Sequence, residues 1–506
     1  MTRHVWPPLI LSMFAAPAVA EITADDVWAN TVGYYEATGT SVDATLLRDG
    51  DTLTIADVTW RLDLPFDFGA IRLTLPDMVM VELGDGTVRQ TLPETFTLTA
   101  AFEPQDEMVD ALQTTVTIRH EDFVSVAAGT PDDITYTRSG GAYGAALEVD
   151  FSRFGAGDGN MFFEVFGEGY SNVTRIVAGD LITAEFESTS APMQYSYVIN
   201  GGVGYSEEGN GLYQTILTSG EVSIPSEGVD ILDLAAAFDA GLAMSFSTTG
   251  AGQEDVSATY IDGGLVTETR VDAGPSSAEM QISSDGFAIA SRAQDIGFEM
   301  RENAGLFPGL SVAVSDTSMS FSFPFMAALQ AQEFGLSLAV DNLTLADEVW
   351  DMFDPGAYLS RDPASWDLDL GGQIQLDLDL VDVPALEAAF DRAEVPITLQ
   401  SFSLRRFAAN AVGVTAKADG AFTFDDTDLD SFFGMPRPEG SGQLTLTGVN
   451  EMLDLLLDTE IAPPSQVNAA RQMIGSFTRP TDDDALTSTV EINTSGGIMV
   501  NGERIR

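Results

Sequence analysis

The sequence predicts a mainly β protein: a β-rich α+β fold with large, antiparallel, strongly curved sheets and a few short peripheral helices. From Trp366 to Leu380 the even positions are apolar or Gly, and the odd positions are mostly acidic or amide residues. A period of two indicates a strand with one apolar and one solvated face. At roughly 3.3 Å per residue the run would span about 50 Å. It therefore predicts either one long curved strand or a hairpin bent at Gly371-Gly372.

Regular turn signals are the second observation behind this fold class. Strand-like segments recur at a spacing of roughly 8–12 residues, which is typical of antiparallel architectures. Gly84-Asp85-Gly86 separates two such segments and predicts a hairpin. The pattern Thr-Leu-Pro-acid occurs at 74–77 and again at 91–94, and we interpret it as a local hairpin echo.

Short helical patterns are the third observation. The first runs from Ala24 to Tyr35, with Thr23 as N-cap and Asp26 at the capping-box position. Pro384 suits the first turn of a later helix. The other predicted helices cover residues 231–240, 325–333, 346–353, 385–393, 449–459 and 466–477.

The first twenty residues have the pattern of a cleavable secretory signal peptide. Arg3 and His4 precede an apolar stretch, and Ala18-Val19-Ala20 is a small-x-small cleavage signal. The apolar stretch is shorter than the ~20 residues that span a bilayer, and no later segment predicts a spanning helix. We therefore expect an exported, periplasmic protein of a Gram-negative bacterium without a transmembrane span after cleavage.

The composition limits the kinds of partner. Asp and Glu number 78 against 22 Lys and Arg, a formal net charge of −56 that argues against nucleic acid and anionic membrane surfaces. The chain has no Cys, so it has no disulfides. We expect an envelope protein or a lipid as partner, both of unknown identity.

The length suggests several regions or one continuous extended body. We divide the chain into the signal peptide 1–20, an N-terminal β-rich region 21–230, a middle β-rich region with short helices 231–400, and a C-terminal β-α-α-β region 401–506.

No catalytic signature emerges from the residues, so we predict no enzyme, no catalytic residue and no cofactor. His120 is the only His after the leader, and we interpret it as a polar residue at a strand end. Gly155-x-Gly157-x-Gly159 lacks the βαβ context of a dinucleotide site. Asp426, Asp428 and Asp430 form a weak calcium candidate, since they resemble the start of an EF-hand loop. The match is weak because Arg437 stands where an EF-hand places its bidentate Glu. We expect Arg437 to pair with carboxylates.

Several motifs resemble the domain-of-unknown-function family 2125, a family of exported alphaproteobacterial proteins. The sharpest lie near the C-terminus: Ala421–Asp425, Gly434–Gly440, Gly448–Asn450, Leu486–Thr489 and Asn501–Arg504. Gly129–Tyr136 looks similar to the same family. The resemblance implies a periplasmic setting and a β-rich body. It implies no reaction and no site residue.

Three functions remain open. The first is a non-enzymatic structural or interaction role in the cell envelope, with the apolar sheet face buried as core. The alternative is a β-groove that binds or transfers a lipid or another apolar ligand, as in envelope proteins resembling AsmA, an architectural analogy only. The second alternative is a carboxylate-based, possibly Ca-assisted hydrolase. For the groove, the candidate apolar-ligand face comprises Trp366, Leu368, Ile374, Leu376 and Leu378.

Overall fold

A computed structural model describes residues 22–64, 68–105, 111–151, 159–202, 204–230, 233–303, 309–432, 434–481 and 485–505. Strands make up 62% of the residues and helices 13%, which confirms the predicted mainly β class. The predicted leader 1–20 lies outside the described residues, as do Gly155 and Gly157. Among the described residues, no helix has both the length and the apolar character needed to cross a membrane.

The first 21 strands cover the N-terminal 302 residues: β1 Thr40–Asp49, β2 Thr52–Leu64, β3 Gly69–Thr74, β4 Met78–Glu82, β5 Thr87–Thr91, β6 Thr95–Pro104, β7 Leu112–His120, β8 Val124–Thr130, β9 Asp133–Gly140, β10 Tyr143–Asp150, β11 Asn160–Gly167, β12 Tyr170–Val177, β13 Leu181–Ser190, β14 Met193–Asn200, β15 Tyr205–Tyr213, β16 Ile216–Pro225, β17 Ala243–Gly250, β18 Gln253–Ile261, β19 Gly264–Ala273, β20 Ser276–Ser283 and β21 Gly286–Glu302.

The later strands are β22 Leu310–Phe323, β23 Gln332–Leu345, β24 Ala364–Leu376, β25 Ile397–Ala411, β26 Val414–Asp425, β27 Arg437–Thr447, β28 Arg479–Pro480, β29 Leu486–Ile492, β30 Ile498–Val500 and β31 Glu503–Arg504. The helices are α1 Ala24–Ala37, α2 Leu234–Asp239, α3 Asp347–Trp350, α4 Val383–Asp391, α5 Val449–Asp458 and α6 Pro464–Phe477. The 31 strands of the described ranges belong to one sheet, and every named pairing is antiparallel.

Between β2 and β21 the sheet has two walls. Wall 1 pairs in the order β3, β6, β7, β10, β11, β14, β15, β18, β19, and wall 2 in the order β4, β5, β8, β9, β12, β13, β16, β17, β20. β2 pairs with β4 along its first half and with β3 along its second, and β21 likewise pairs with β20 and β19. The pairings among these 20 strands therefore close on themselves.

Links of two or three residues join the walls. The chain makes a hairpin within one wall, crosses a short link such as 141–142 or 191–192, and continues in the other wall. Backbone hydrogen bonds between neighbouring links continue the ladder, for example Ala191 N–H to Gly169 O at 2.9 Å and Gln214 N–H to Gly252 O at 2.8 Å. Each link therefore joins a wall 1 strand and a wall 2 strand into one long, bent strand of an antiparallel meander.

We call the row of links the bend line. β2 and β21 cross it without interruption, at Asp57 with φ 54° and Asp295 with φ 49°. Asp adopts positive φ values more readily than most residues. A single residue in this conformation bends the strand at that point. The repeated Thr-Leu-Pro-acid segments lie at the two ends of the β4–β5 hairpin, where they form links 75–77 and 92–94 of the bend line. Proline lacks the N–H that a continuous ladder would use.

The helix predictions are largely confirmed, including the capping box between Thr23 and Asp26. The helix predicted at 325–333 is wrong: the Ala327 N–H donates to Asp379 at 2.6 Å, and Phe325 O accepts from Leu380 N–H. These partners hold the segment in an irregular conformation, and β23 begins at Gln332. The hairpin alternative at Gly371-Gly372 is also wrong, because β24 runs through both glycines as one strand.

Candidate functional site

One face of the bent sheet is concave, and we call it the inner face. Residues directly opposite each other in an antiparallel ladder project to the same side. Helix α1 packs against Leu53 and Ile55 from the first half of β2, and its Tyr35 ring lies 4.0 Å from the ring of Trp60 in the second half. Because α1 touches both arms of β2, the side chains it contacts lie inside the bend. The opposite side is the outer face.

The inner face of wall 2 is covered by helices. Its buried side chains, including Met80, Val88, Ile134 and Tyr136, form one core with residues of α1 and α2. The Tyr136 hydroxyl donates to Asn30 Oδ1 at 2.9 Å, which satisfies a polar group inside this core. This part of the concave side is therefore an ordinary filled interior.

The inner face of wall 1 is different, because its apolar side chains remain half-buried. The inner-face positions of the described strands β6, β7, β10, β11 and β14 carry no charged residue. None of their large apolar side chains is fully buried: Phe96, Leu98, Phe102, Leu112, Val116, Ile118, Leu147, Val149, Met161, Phe163, Val165 and Ile199. Among the residues that the structure describes, no covering layer comparable to the core of wall 2 packs on this surface.

The inner face of wall 2 continues beyond β21. Register places Ile289 opposite Met280 of β20, and Phe321, Leu336 and Leu370 follow on β22, β23 and β24. These four side chains are only partly buried. We call the concave side of the bent sheet, from α1 to the C-terminal helices, the trough.

The predicted ligand-face residues divide into two groups. Trp366 is 38% exposed and Leu368 is half-buried on this inner face, whereas Ile374 and Leu376 are only 3% and 1% exposed. Leu378 follows the end of β24. The open part of the predicted face therefore consists of Trp366 and Leu368, and Ile374 and Leu376 are core. The acidic side of the strand faces outward, where Asp367 pairs with Arg406 at 2.7 Å.

Helices close both ends of the trough. At the N-terminal end α1 lies inside the bend, as described above. At the C-terminal end Val449 and Leu453 of α5 and Val467 of α6 pack with Leu446 and Leu486, which project from the inner face of β27 and β29. The trough therefore has a helical cap at each end.

A polar and aromatic cluster interrupts the apolar surface on wall 1. Tyr195 and Tyr197 of β14 face Gly211 and Gly209 of β15, and a Cβ atom at either glycine would overlap the opposite tyrosine ring. The rings therefore lie flat across β15. The Tyr195 hydroxyl reaches Asp255 on β18 and donates a hydrogen bond to it.

Glu207 is the second carboxylate of this cluster. It accepts from the Tyr197 hydroxyl at 2.7 Å and from the Tyr205 hydroxyl at 2.6 Å. Burial, followed by the hydrogen bond to Glu207, raises the pKa of Tyr197 to about 12. Burial and the hydrogen bond to Asp255 raise the pKa of Tyr195 as well. Both phenols thus remain neutral donors to carboxylates at ordinary pH.

His120 ends β7, as the strand-end interpretation predicts. Its ring lies 6.1 Å from Phe96 and 5.3 Å from Phe123, next to the bend line. Among the described residues neither ring nitrogen has a hydrogen-bond partner. The ring packs as an aromatic group there.

The calcium candidate is organised around Arg437. The guanidinium is 11% exposed and contacts Asp425 at 2.6 Å and Asp428 at 2.9 Å, which confirms the expected pairing with carboxylates. Asp428 also accepts from the Ser431 N–H. Within the described part of the chain, no group of three or more His, Asp or Glu side chains is placed to hold a metal ion.

Sequence reasoning missed the tyrosine cluster. The available signal was the i, i+2 spacing of Tyr195 and Tyr197 together with that of Gly209 and Gly211. Each pair alone is ordinary, and only the strand register brings them together.

Comparison with protein families gives one match. The model of the domain-of-unknown-function family 2125, described as "Uncharacterized protein conserved in bacteria", matches residues 230–503. The match includes all the resembling motifs from Ala421 to Thr489 and the last motif except Arg504, whereas Gly129–Tyr136 lies outside it. Comparisons with curated proteins and with solved structures give no match.

Proposed function

The chain belongs to the domain-of-unknown-function family 2125, and we propose that it is a periplasmic protein whose inner trough binds the acyl chain of a lipid. The single observation that supports this function is the charge-free, only partly buried apolar surface of wall 1. Apolar patches larger than a few hundred Å² are rare on monomeric soluble proteins and mark interaction sites. Export is supported by the leader pattern of residues 1–20.

An extended acyl chain fits the shape of this surface better than a compact ligand. Neighbouring strands lie about 4.8 Å apart, so the five charge-free strands alone provide an apolar strip roughly 20 Å long. The strip runs along the trough, perpendicular to the strands. Because helices close both ends, we propose that the protein carries its lipid as a container rather than conducting it through.

Single-cysteine labelling can test acyl-chain binding, since the chain has no native Cys. Leu147 lies on the inner face of β10 and its neighbour Ala146 on the outer face. We expect acrylodan on Leu147→Cys to be quenched by the uncharged methyl ester of nitroxide-labelled stearate, and acrylodan on Ala146→Cys to be unaffected. Equal quenching at both positions, or none at either, contradicts the proposal. Lipid extraction and mass spectrometry of the purified protein provide a second readout.

A structural or interaction role in the envelope is the second candidate. The observation in its favour is an outer-face patch on wall 1, where Phe162, Phe166 and Val198 are exposed among carboxylates. A photo-crosslinker at position 162 should then capture an envelope protein in cells, and a crosslinker at Glu221, an exposed outer-face position of wall 2, provides the comparison. Capture of the same partners at both positions argues against a patch-specific role. No observation on the described residues favours the carboxylate-based hydrolase.

A further inference from the structure

We propose that the tyrosine cluster of wall 1 is a subsite for a cationic ammonium head group, so that the trough selects an amine-bearing amphiphile. The proposal rests on the acyl-chain function above and names its ligand class. It comes from the geometry of Tyr195, Tyr197, Glu207 and Asp255 on the inner face.

The first step is the flat orientation of the rings. Gly209 and Gly211 leave room for the Tyr197 and Tyr195 rings to lie on β15, so that ring faces rather than edges line this part of the trough. Tyr213 and Phe163 extend the aromatic surface, with ring centroids 5.6 Å and 6.1 Å from that of Tyr195. A cation within about 6 Å of an aromatic face is attracted by its quadrupole.

The second step is the direction of the hydrogen bonds. The hydroxyls of Tyr195, Tyr197 and Tyr205 donate to Asp255 or Glu207. The amide of Gln253 donates to Asp255 at 3.0 Å. Because these donors are engaged, the oxygen lone pairs that remain are acceptors. A primary ammonium group offers three donors and a positive charge, and therefore complements this surface.

The third step is position. The cluster lies on β14, β15 and β18, directly beside the charge-free apolar surface of β10 and β11 in the pairing order of wall 1. A ligand with an apolar chain and a terminal cation can therefore occupy both surfaces at once. A sulfate or phosphate terminus would instead meet two carboxylates.

The experiment compares dodecylammonium, dodecyl maltoside and dodecyl sulfate, each titrated below its critical micelle concentration into the full-length protein by calorimetry. Because the acidic protein attracts any cation weakly, variants rather than wild-type affinities decide the outcome. Glu207→Gln is matched by Glu208→Gln. Glu208 is the next residue, faces outward and also accepts a tyrosine hydroxyl, from Tyr260 at 2.8 Å.

We expect Glu207→Gln to weaken dodecylammonium binding about tenfold and Glu208→Gln to change it less than about twofold. Dodecyl maltoside affinity should be the same in all three proteins. Equal dodecylammonium affinities in the two variants overturn the head-group subsite while leaving acyl-chain binding intact. A selective loss of dodecyl maltoside in Glu207→Gln points instead to a sugar subsite and also overturns the proposal. Failure of the nitroxide-stearate test would show that the trough function itself is wrong.

Discussion

The hydroxyl of Tyr136 donates a 2.9 Å hydrogen bond to Oδ1 of Asn30, linking the inner face of β9 to helix α1 across 106 residues of sequence. Both residues are buried. The bond therefore helps to hold the helix that fills the N-terminal end of the trough.

Tyr136→Phe should destabilise the protein by about 1–2 kcal/mol, because it leaves the buried Asn30 oxygen without its donor. Urea denaturation followed by tryptophan fluorescence measures the change. Tyr260→Phe, which removes an exposed hydrogen bond to Glu208, is the matched control and should cost less. Equal losses in the two variants would argue against a structural role for the Tyr136–Asn30 bond.

Gly211→Ala should displace the Tyr195 ring and the Asp255 carboxylate, because the new methyl group would overlap both. We expect a loss of about 1–3 kcal/mol of stability, the usual effect of overpacking. The control is Gly335→Ala in β23, where a Cβ atom would meet its nearest neighbour, Ser322 Oγ, at 3.4 Å. A neutral Gly211→Ala variant in thermal denaturation would mean that the ring does not lie flat on β15.

Tyr197 should titrate at about pH 12, two units above an ordinary tyrosine. Because the folded pKa is raised, its contribution to stability is complete below about pH 10 and is lost as the pH rises towards 12. The difference in phenolate absorbance between wild type and Tyr197→Phe should therefore titrate near pH 12. A midpoint near 10 would contradict the burial and hydrogen bonding of this phenol.

Arg437→Gln should lower the melting temperature and also flatten its dependence on acid pH. Hydrogen bonds from Thr427 hold the pKa of Asp425 below its usual value, those from Ser431 do the same for Asp428, and Arg437 adds to both. Depressed carboxyl pKa values stabilise the fold above the ordinary Asp pKa of about 3.9, and this contribution is lost as the pH falls further.

The measurement for Arg437 is the melting temperature from pH 6 to pH 3. Arg301→Gln provides the control, because its 3.3 Å pair with Glu299 is exposed. If the melting temperatures of the two variants depend on pH in the same way, the Arg437 contacts do not stabilise the fold more than an exposed ion pair does.

Local patterns in the sequence predicted much of the fold. Helix α1 with its capping box, the hairpin at Gly84–Gly86, and the alternation in β24 all depend on residues close together in the chain. The bend line was not predicted, because a link such as 141–142 looks like any hairpin turn in the sequence. Only the pairing of neighbouring strands distinguishes a link that crosses walls from a turn within one wall.

The candidate site could be predicted only in part. Trp366 and Leu368 were recognised from alternation and do lie on the open inner face, whereas Ile374 and Leu376 belong to the same period but are buried. Periodicity assigns a residue to a face, and what covers that face depends on distant elements. Tyr195, Gly211 and Asp255 likewise lie side by side on three neighbouring strands. Their proximity could be predicted only with the registers of those strands.

The bent meander also has a consequence for how the chain folds. Each bent strand pairs with the one made immediately before it, so every new strand meets a partner that has already been synthesised. Chains fold their N-terminal parts first during synthesis. With α1, β2 and β4 as a starting block, the sheet can grow by adding one bent strand at a time to an exposed edge. Truncation from the C-terminus should then leave a shorter sheet, whereas removal of α1 should affect the whole molecule.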